Sequence, residues 1–475
     1  MRTREHLDAV IKAYDVRGVV GEDIDENFVR DTGAAFAAIL REEGENTVAV
    51  GHDMRPSSPS LARAFAEGVT SQGLNVTLLG LTSTDELYYA AGSLECAGAM
   101  FTASHNPAKY NGIKLCRAGA VPVGQETGLE QIKQMLIDGT PEFTGTEGAI
   151  AEQEILAGYA DFLRKLVPLE DSKPLVVAVD AANGMGGHTV PAVFNGLPFD
   201  VRDLYFELDG TFPNHEANPL DPKNLVDLQK FTVDQKADIG LAFDGDADRC
   251  FVVDEKGQPV SPSAICALVA ERYLEKFPGA TIIHNLITSK TVPELIKEKG
   301  GTPVRTRVGH SFIKAVMAAE SAVFGGEHSA HYYFRDFFNA DTGMLAAMHV
   351  LAALGGQEQP LSELAEEYEP YVASGEINSQ VEDKDAAVAA VVAQFAPAVG
   401  EGVGEGQAVH EDFAGVATTV TRMDGTTVAA QDGTWWFNLR PSNTEPFLRY
   451  NGEARTAATM EALRDAVLAI VRAER

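Results

Sequence analysis

Short β-branched apolar runs alternate along this chain with segments of helical period, and that alternation limits what it can fold into more than any other feature. Residues 47–50 (TVAV) and 75–79 (NVTLL) read as strands, and between them Leu61, Ala62, Phe65, Ala66 and Val69 recur at helical spacing. The pattern resumes at residues 175–179 (LVVAV), 239–243 (IGLAF), 251–253 (FVV) and 281–284 (TIIH). It predicts α/β layers around a largely parallel sheet, where ligands bind beyond the carboxyl ends of the strands. Motifs that directly follow an apolar run therefore carry extra weight.

At 475 residues the chain is long enough for roughly three or four domains. Turn-rich or acidic stretches at residues 139–148, 254–263 and 357–374 mark candidate boundaries, giving domains 1–150, 151–256, 257–370 and 371–475. The Gly-rich segment 396–407 reads as a flexible loop inside the last of these. A hydrophobic fraction of 45% excludes a mostly disordered chain. The net charge of −31, from 69 acidic and 38 basic residues, disfavours nucleic acid and anionic membranes as partners. Cys96, Cys116, Cys250 and Cys266 show no C-x-x-C spacing, as expected of reduced thiols in a cytoplasmic protein. No apolar h-region follows the charged start, and the longest apolar stretch, 345–354, is too short to span a bilayer and reads as a buried helix.

Four motifs could carry chemistry. Asp244-Gly245-Asp246-Ala247-Asp248-Arg249 directly follows the run 239–243. Three alternating carboxylates on a turn leaving a strand can converge on a hard cation such as magnesium, and Arg249 suits a phosphate oxygen sharing it. A calcium loop of EF-hand type is the competing reading, with Glu255 at its twelfth position, but Arg249 stands where that loop needs glycine. Thr102-Ala103-Ser104-His105-Asn106-Pro107 follows another strand-like run. Ser104 can serve there as a phosphoryl carrier, or simply cap an Asn-Pro turn. His105 is adjacent in sequence, a poor arrangement for a base, whereas Lys109 and Lys114 downstream could stabilise phosphoryl charge. In Gly325-Gly326-Glu327-His328-Ser329-Ala330-His331-Tyr332-Tyr333-Phe334, an extended segment would set Glu327, Ser329 and His331 on one face. Those side chains suit sugar hydroxyls, and the segment implies no zinc ligand set. Arg440-Pro441-Ser442-Asn443-Thr444-Glu445-Pro446 packs donors that can grip a phosphate, or else places Ser442 and Glu445 as the capping box of a following helix. Tyr14-Asp15-Val16-Arg17-Gly18, with Lys12 nearby, and Arg305-Thr306-Arg307-Val308-Gly309-His310, with Lys314 beyond, add cations embedded in turns. An acidic protein that holds an anionic small molecule in a focused local field needs such cations.

In this order, TASHNP, DGDADR, GEHSAHYYF and RPSNTEP resemble the four signature loops of the α-D-phosphohexomutases, and YDVRG and RVGHSFIK also resemble that family. The sugar-loop pattern is most similar to the bacterial phosphomannomutase/phosphoglucomutase branch; phosphoglucosamine mutase is the alternative. His328 and Ala330 stand where methionine and glycine are common, and Lys12-Ala13 departs before the first motif. The resemblance implies four domains around a central cleft, three related α/β domains with mixed sheets and a smaller C-terminal α+β domain. It implies interconversion of hexose 1-phosphate and hexose 6-phosphate, of mannose or glucose, through a phosphoserine enzyme and hexose 1,6-bisphosphate, which also serves as activator. Ser104 would carry the phosphoryl group. Asp244, Asp246 and Asp248, with an oxygen on Ser104, would hold one Mg²⁺. Glu327 and Ser329 would bind sugar hydroxyls, and Arg440, Ser442, Asn443 and Thr444 the distal phosphate, with Tyr14 also on the substrate side. Arg17, Lys114, Arg249, His310 and His331 would line the reacting centre, with His331 or Lys114 as general base. The expected enzyme is a cytoplasmic monomer or homodimer whose partner is a small sugar phosphate.

Overall fold

The computed structural model describes residues 2–442 and 447–473, the side chains of 310 and 311 excepted. Four sheets follow one another along the chain, each belonging to a separate unit. The first runs in the order Val16–Val19, Tyr110–Arg117, Ala97–Phe101, Thr47–His52, Asn75–Leu81, Ile150–Glu152, with Val121–Pro122 added beside Tyr110–Arg117. The second runs Pro259–Val260, Cys250–Asp254, Ile239–Phe243, Leu175–Asp180, Phe199–Leu204, and the third Thr302–Thr306, Thr281–Asn285, Phe324–Gly326, Tyr332–Phe334, Ala340–Asp341.

These three units share one device. A strand paired in parallel with its neighbour is followed at once by an antiparallel hairpin partner. The pairs are Ala97–Phe101 with Tyr110–Arg117, Ile239–Phe243 with Cys250–Asp254, and Phe324–Gly326 with Tyr332–Phe334. The first member of each pair is buried at every residue. Covered on both faces, the two longer ones read as continuous apolar runs rather than alternating ones. The mixed sheets follow from this: the antiparallel partner is added to an otherwise parallel sheet. Each hairpin loop then emerges at the carboxyl end of a buried strand and carries one of the motifs singled out above.

The fourth unit is antiparallel throughout. Its order is Val372–Ala373, Phe447–Ala454, Trp435–Pro441, Thr426–Ala430, Ala417–Arg422, Gly404–Gln407, and Ile377–Gln380 also pairs with Phe447–Ala454. The segment 396–407 is therefore not loop throughout, because its last four residues form the edge strand Gly404–Gln407 against Ala417–Arg422. Backbone pairing there does not depend on side chains, which its two glycines lack. Helices Lys384–Phe395 and Ala457–Val471 contribute Val391, Val392, Phe395, Leu463 and Val467 to the unit's core. Phe395 centres that core, with ring centroids 5.8 Å from Trp435 and 5.2 Å from Phe437.

The units are joined unevenly. Residues of the second and third share one continuous apolar core, into which the helix Gly343–Gly355 sends Leu345, Met348 and Leu351 and to which Tyr88, Ala91, Cys116 and Ala120 of the first unit also belong. The first unit's other apolar residues form a core of their own, and so do those of the fourth. Asp85 ties the first three together: it accepts from Ser83 Oγ at 2.5 Å, from Tyr159 Oη at 2.6 Å and from Thr342 Oγ1 at 2.7 Å. Among the described residues no helix is long and apolar enough to cross a membrane. All four cysteines are buried and unpaired.

Because the fourth unit has its own core, Phe395→Ala should destabilise it by about 3–5 kcal/mol. Chemical denaturation should show an earlier transition for this unit, with the transition of the first three unchanged.

Candidate active site

Ser104 opens the hairpin loop after Ala97–Phe101 and is buried. Its backbone is left-handed, with φ at +48°, a conformation that costs a non-glycine residue and persists only when its surroundings enforce it. Here the enforcement is visible. The Ser104 amide donates to Thr102 Oγ1 at 2.9 Å. The loop carbonyls converge on Arg55, whose guanidinium donates to the oxygens of Ser104 (2.9 Å), Asn106 (2.7 Å), Pro107 (3.0 Å) and Tyr110 (3.0 Å). Arg55 is fully buried and its Nε is paired with Asp53 at 3.2 Å, so all five of its donors are used on this loop and its anchor. Neither Asp53 nor Arg55 stands out in the sequence beyond its place just after the strand Thr47–His52. The carboxyl-end rule points there, but no local pattern announces an arginine reaching residues about fifty positions away.

The Ser104 hydroxyl donates to Asp244 Oδ2 at 3.1 Å and lies 3.1 Å from His105 Nδ1. His105 thus does meet its neighbour, contrary to the expectation from adjacency, because the left-handed turn at Ser104 brings the ring back. It is still no base. Arg249 Nη2 donates to the same Nδ1 at 2.5 Å, and burial, Arg249 and Arg17 together push the imidazole down to about 2. Gly245 makes the approach of the two loops feasible, since a Cβ there would stand 2.4 Å from the Ser104 carbonyl oxygen.

Asp244, Asp246 and Asp248 are buried, and each presents an oxygen within 4.8 Å of the others. The flanking strands form an antiparallel hairpin, and both Glu255 oxygens accept from Ser362. The calcium-loop reading is thereby removed. The trio is partly neutralised from the first unit and from its own loop. Lys114 Nζ bridges Asp246 Oδ2 (2.8 Å) and Asp248 Oδ2 (2.5 Å), Thr84 Oγ1 donates to Asp246 at 2.5 Å, and the Arg249 guanidinium pairs with Asp244 at 2.8 Å. Burial pushes Asp244 up to about 7, Arg249 opposing. Burial also pushes Asp246 upward, but Lys114 and the Thr84 hydroxyl outweigh it and hold that carboxylate below its ordinary range. Two oxygens, Asp246 Oδ1 and Asp248 Oδ1, are buried with no hydrogen-bond partner. Unpartnered carboxylate oxygens in an all-oxygen donor set fit a hard divalent cation.

The hairpin loop of the third unit closes the site. Glu327–Ala330 is a turn, not an extended segment: the Ala330 amide donates to the Glu327 carbonyl at 3.1 Å, and Ala330 has φ +64°. Glu327, Ser329 and His331 therefore do not share a strand face, and Tyr332–Phe334 alone pairs as strand. Glu327 is fixed by Tyr333 Oη at 2.5 Å and Asn285 Nδ2 at 2.9 Å. Ser329 is half-buried, and His328 faces Ser263 Oγ at 2.8 Å. His331 Nδ1 lies 3.0 Å from Asp341 Oδ2, leaving Nε2 to the crevice, and Asp341 is paired in turn with Lys314 at 2.6 Å. Burial pushes His331 down, but Asp248 and Asp341 outweigh it and raise the imidazole above its ordinary range. Burial likewise pushes Lys114 down, and Asp246 and Asp248 hold it well above the usual lysine range. Asp341, Asp85 and Thr84 carry no motif signal and become visible only in three dimensions.

Arg17 lies on Val16–Val19, donating to Asn106 Oδ1 at 2.8 Å and Asp15 Oδ2 at 2.5 Å. The Tyr14 ring meets Phe312 of the third unit edge-on at 6.1 Å. Arg440 ends the strand Trp435–Pro441 beside Glu376 at 3.4 Å, and the Ser442 amide donates to the Phe447 carbonyl at 2.9 Å. That bond belongs to the hairpin in which Phe447–Ala454 pairs with Trp435–Pro441, so Ser442 caps no helix. Asn443, Thr444 and Glu445, and the side chain of His310, lie outside the described residues.

Comparison with known proteins agrees with this geometry. The chain matches the family described as phosphoglucomutase/phosphomannomutase, with alpha/beta/alpha domains I, II and III over residues 8–141, 157–257 and 261–371 and the C-terminal domain over 376–470. It is 38% identical over 470 residues to a phosphomannomutase of Salmonella typhimurium, covering 97% of this chain and 98% of that one. It is 37% identical to a phosphohexose mutase protein of Xanthomonas campestris, covering 94% and 96%. A solved phosphoglucomutase/phosphomannomutase family protein of Burkholderia thailandensis superposes with TM-score 0.84 at 28% identity, covering 100% of this chain and 99% of that one.

The Asp341 carboxylate helps raise the His331 imidazole, so Asp341→Asn should lower the His331 titration midpoint by about one unit. An NMR titration of the ring resonances checks it, and an unmoved midpoint would dissolve the pair.

Proposed function

The chain belongs to the phosphoglucomutase/phosphomannomutase family and is a phosphohexomutase, an intramolecular phosphotransferase. From that premise we propose that it interconverts the 1- and 6-phosphates of mannose and glucose through a phosphoserine at Ser104 and a hexose 1,6-bisphosphate. The observation that carries the reading is the Ser104 hydroxyl, fixed in a strained loop and set 3.1 Å from Asp244 in a crevice lined by Lys114 and Arg249.

In the first half-reaction the bond from phosphorus to Ser104 Oγ breaks, and a bond forms to the free hydroxyl of the bound hexose monophosphate. The hydroxyl proton passes to His331 Nε2, which Asp341 leaves exposed by engaging Nδ1. Lys114 keeps its proton and acts as a fixed cation, as do Arg249 and Arg17. Loose phosphoryl transfer gains mainly from such positioning and charge. The bisphosphate turns round in the cleft, and its other phosphate returns to Ser104 while His331 gives the proton back. Glu327 and Ser329 orient the sugar hydroxyls. Arg440, Ser442, Asn443 and Thr444 hold the phosphate that is not being transferred, at whichever end of the sugar it lies; Tyr14 also faces the substrate, and His310 lines the reacting centre. Mg²⁺ held by Asp244, Asp246, Asp248 and an oxygen on Ser104 would supply Lewis-acid polarisation of the transferring group. Closure of the separately cored fourth unit would keep water from the phosphoserine. The same reading keeps the domain limits 1–150, 151–256, 257–370 and 371–475 and a cytoplasmic setting, which the buried free thiols suit.

Ser104→Ala should lower turnover of mannose 1-phosphate and glucose 1-phosphate by at least about 10⁴-fold. Its intact mass should lack the single phosphate expected on the active protein, and full activity in this variant would refute the carrier. Chelation of divalent cations should stop turnover and Mg²⁺ restore it; indifference to the chelator would reject the carboxylate trio as a metal site.

A further inference from the structure

A cavity of about 320 Å³ lies between the third and fourth units, apart from the crevice of Ser104. From the third unit it is lined by His284, Lys290, Lys297 and Arg305, and from the fourth by Thr427 and Trp436. No carboxylate is among its lining residues. His284 and Arg305 are register partners on adjacent parallel strands. Strand alternation sets them on the face opposite Ile283 and Val304, which pack with Tyr333, the residue that fixes Glu327. The cavity and the sugar loop thus lie on opposite sides of one sheet.

The cations here are poorly matched within the protein. Arg305 uses only Nη2, on the Leu286 carbonyl at 2.9 Å and Thr427 Oγ1 at 3.4 Å, and the rest of its fork has no partner among the described residues. Lys297 joins no ion pair among them. Lys290 lies 3.9 Å from Glu294, a carboxylate already shared with Tyr371 and Arg455. His284 is buried, and its Nδ1 faces the Asn285 carbonyl, leaving Nε2 for the cavity. Burial, Arg305 and Lys297 push that imidazole down to about 4, so it serves as a neutral ligand. Arg305 is half-buried without a carboxylate partner among the described residues, and in a chain of net charge −31 an incoming anion would offset that cost. Apart from Thr288, whose hydroxyl donates to Asn285 Oδ1, the remaining wall is apolar: Leu286, Pro293, Pro303 and Ala429. Trp436 joins it, because its Nε1 is spent on Glu453 at 2.7 Å and the indole offers only its hydrocarbon surface.

We propose that this cavity is a second ligand site, for a phosphate monoester carrying a flat ring, of the nucleoside monophosphate class. The phosphate meets Arg305, Lys297 and Lys290 while the ring lies against Trp436 and the prolines. Held by residues of both units, such a ligand fastens the fourth unit to the third.

Calorimetric titration of the full-length protein with adenosine 5′-monophosphate tests this. One saturable site is expected, with adenosine alone failing to bind. Arg305→Met combined with Lys297→Gln should weaken it at least about tenfold, the loss of charge-assisted contacts. Lys297→Gln alone, at an exposed side chain that folding does not need, should weaken it measurably, and Arg440→Ala should leave it intact. Absence of binding, equal binding of adenosine, or binding abolished by Arg440→Ala and kept by the double variant would each overturn the assignment, the last because it places the nucleotide in the catalytic cleft.

Discussion

Three carboxylates cannot share a dry crevice unless something positive is brought to them, and the architecture follows from meeting that demand. Asp244, Asp246 and Asp248 are buried on one hairpin loop of the second unit. Lys114 comes from the hairpin of the first unit and Arg249 from their own loop, while His331 stands 4.0 Å from Asp248 on the third. Breaking a buried pair of this kind typically costs about 3–5 kcal/mol, because the surviving charge is left without compensation. The electrostatics that prepare the site for phosphoryl transfer therefore also hold the first two units in register. Asp85, bonded to side chains from all three units, fixes the same junction from behind.

The repeated hairpin explains how such a junction can be built from three separate sheets. Each unit ends a buried interior strand and reverses at once into its antiparallel neighbour, so a short loop projects beyond the carboxyl end with its base pinned on both sides. Short pinned loops can be brought within a few ångströms of each other, as the contact of Gly245 with the Ser104 carbonyl requires. The arginine clamp at Arg55 adds what the hairpin alone lacks: four carbonyls of the Ser104 loop are tied to one rigid planar fork.

Much of this was legible in the sequence, for definite reasons. Strands such as Ile239–Phe243 and Ala97–Phe101 are buried on both faces, so their runs are uniformly apolar and easily seen, and the motifs after them fall where ligands bind. Properties set by long-range geometry were not legible. Arg55 reaches carbonyls about fifty positions away and Asp341 bridges His331 and Lys314, and no spacing encodes that. Local signals also proved degenerate. A Ser followed by a Glu three residues on suits a helix start, yet Ser442 sits in a hairpin because Phe447–Ala454 pairs back along Trp435–Pro441. Likewise Glu327, Ser329 and His331 alternate, but the left-handed Ala330 folds them into a turn, and alternation has no meaning there.

The fourth unit stands apart in its physics as well as its topology. Its core is separate, and it meets the third unit partly through individual polar contacts: Glu453 accepts from Ser289 Oγ at 3.2 Å and from the Lys290 amide at 3.1 Å, Thr427 accepts from Arg305, and Tyr371 donates to Glu294. Polar contacts of this sort exchange readily with water, whereas the shared core of the second and third units does not. Movement is therefore cheapest at this seam. Arg305 and Lys297, which pair with no carboxylate among the described residues, lie at the same seam. A ligand that supplies the missing negative charge acts where the least free energy resists it.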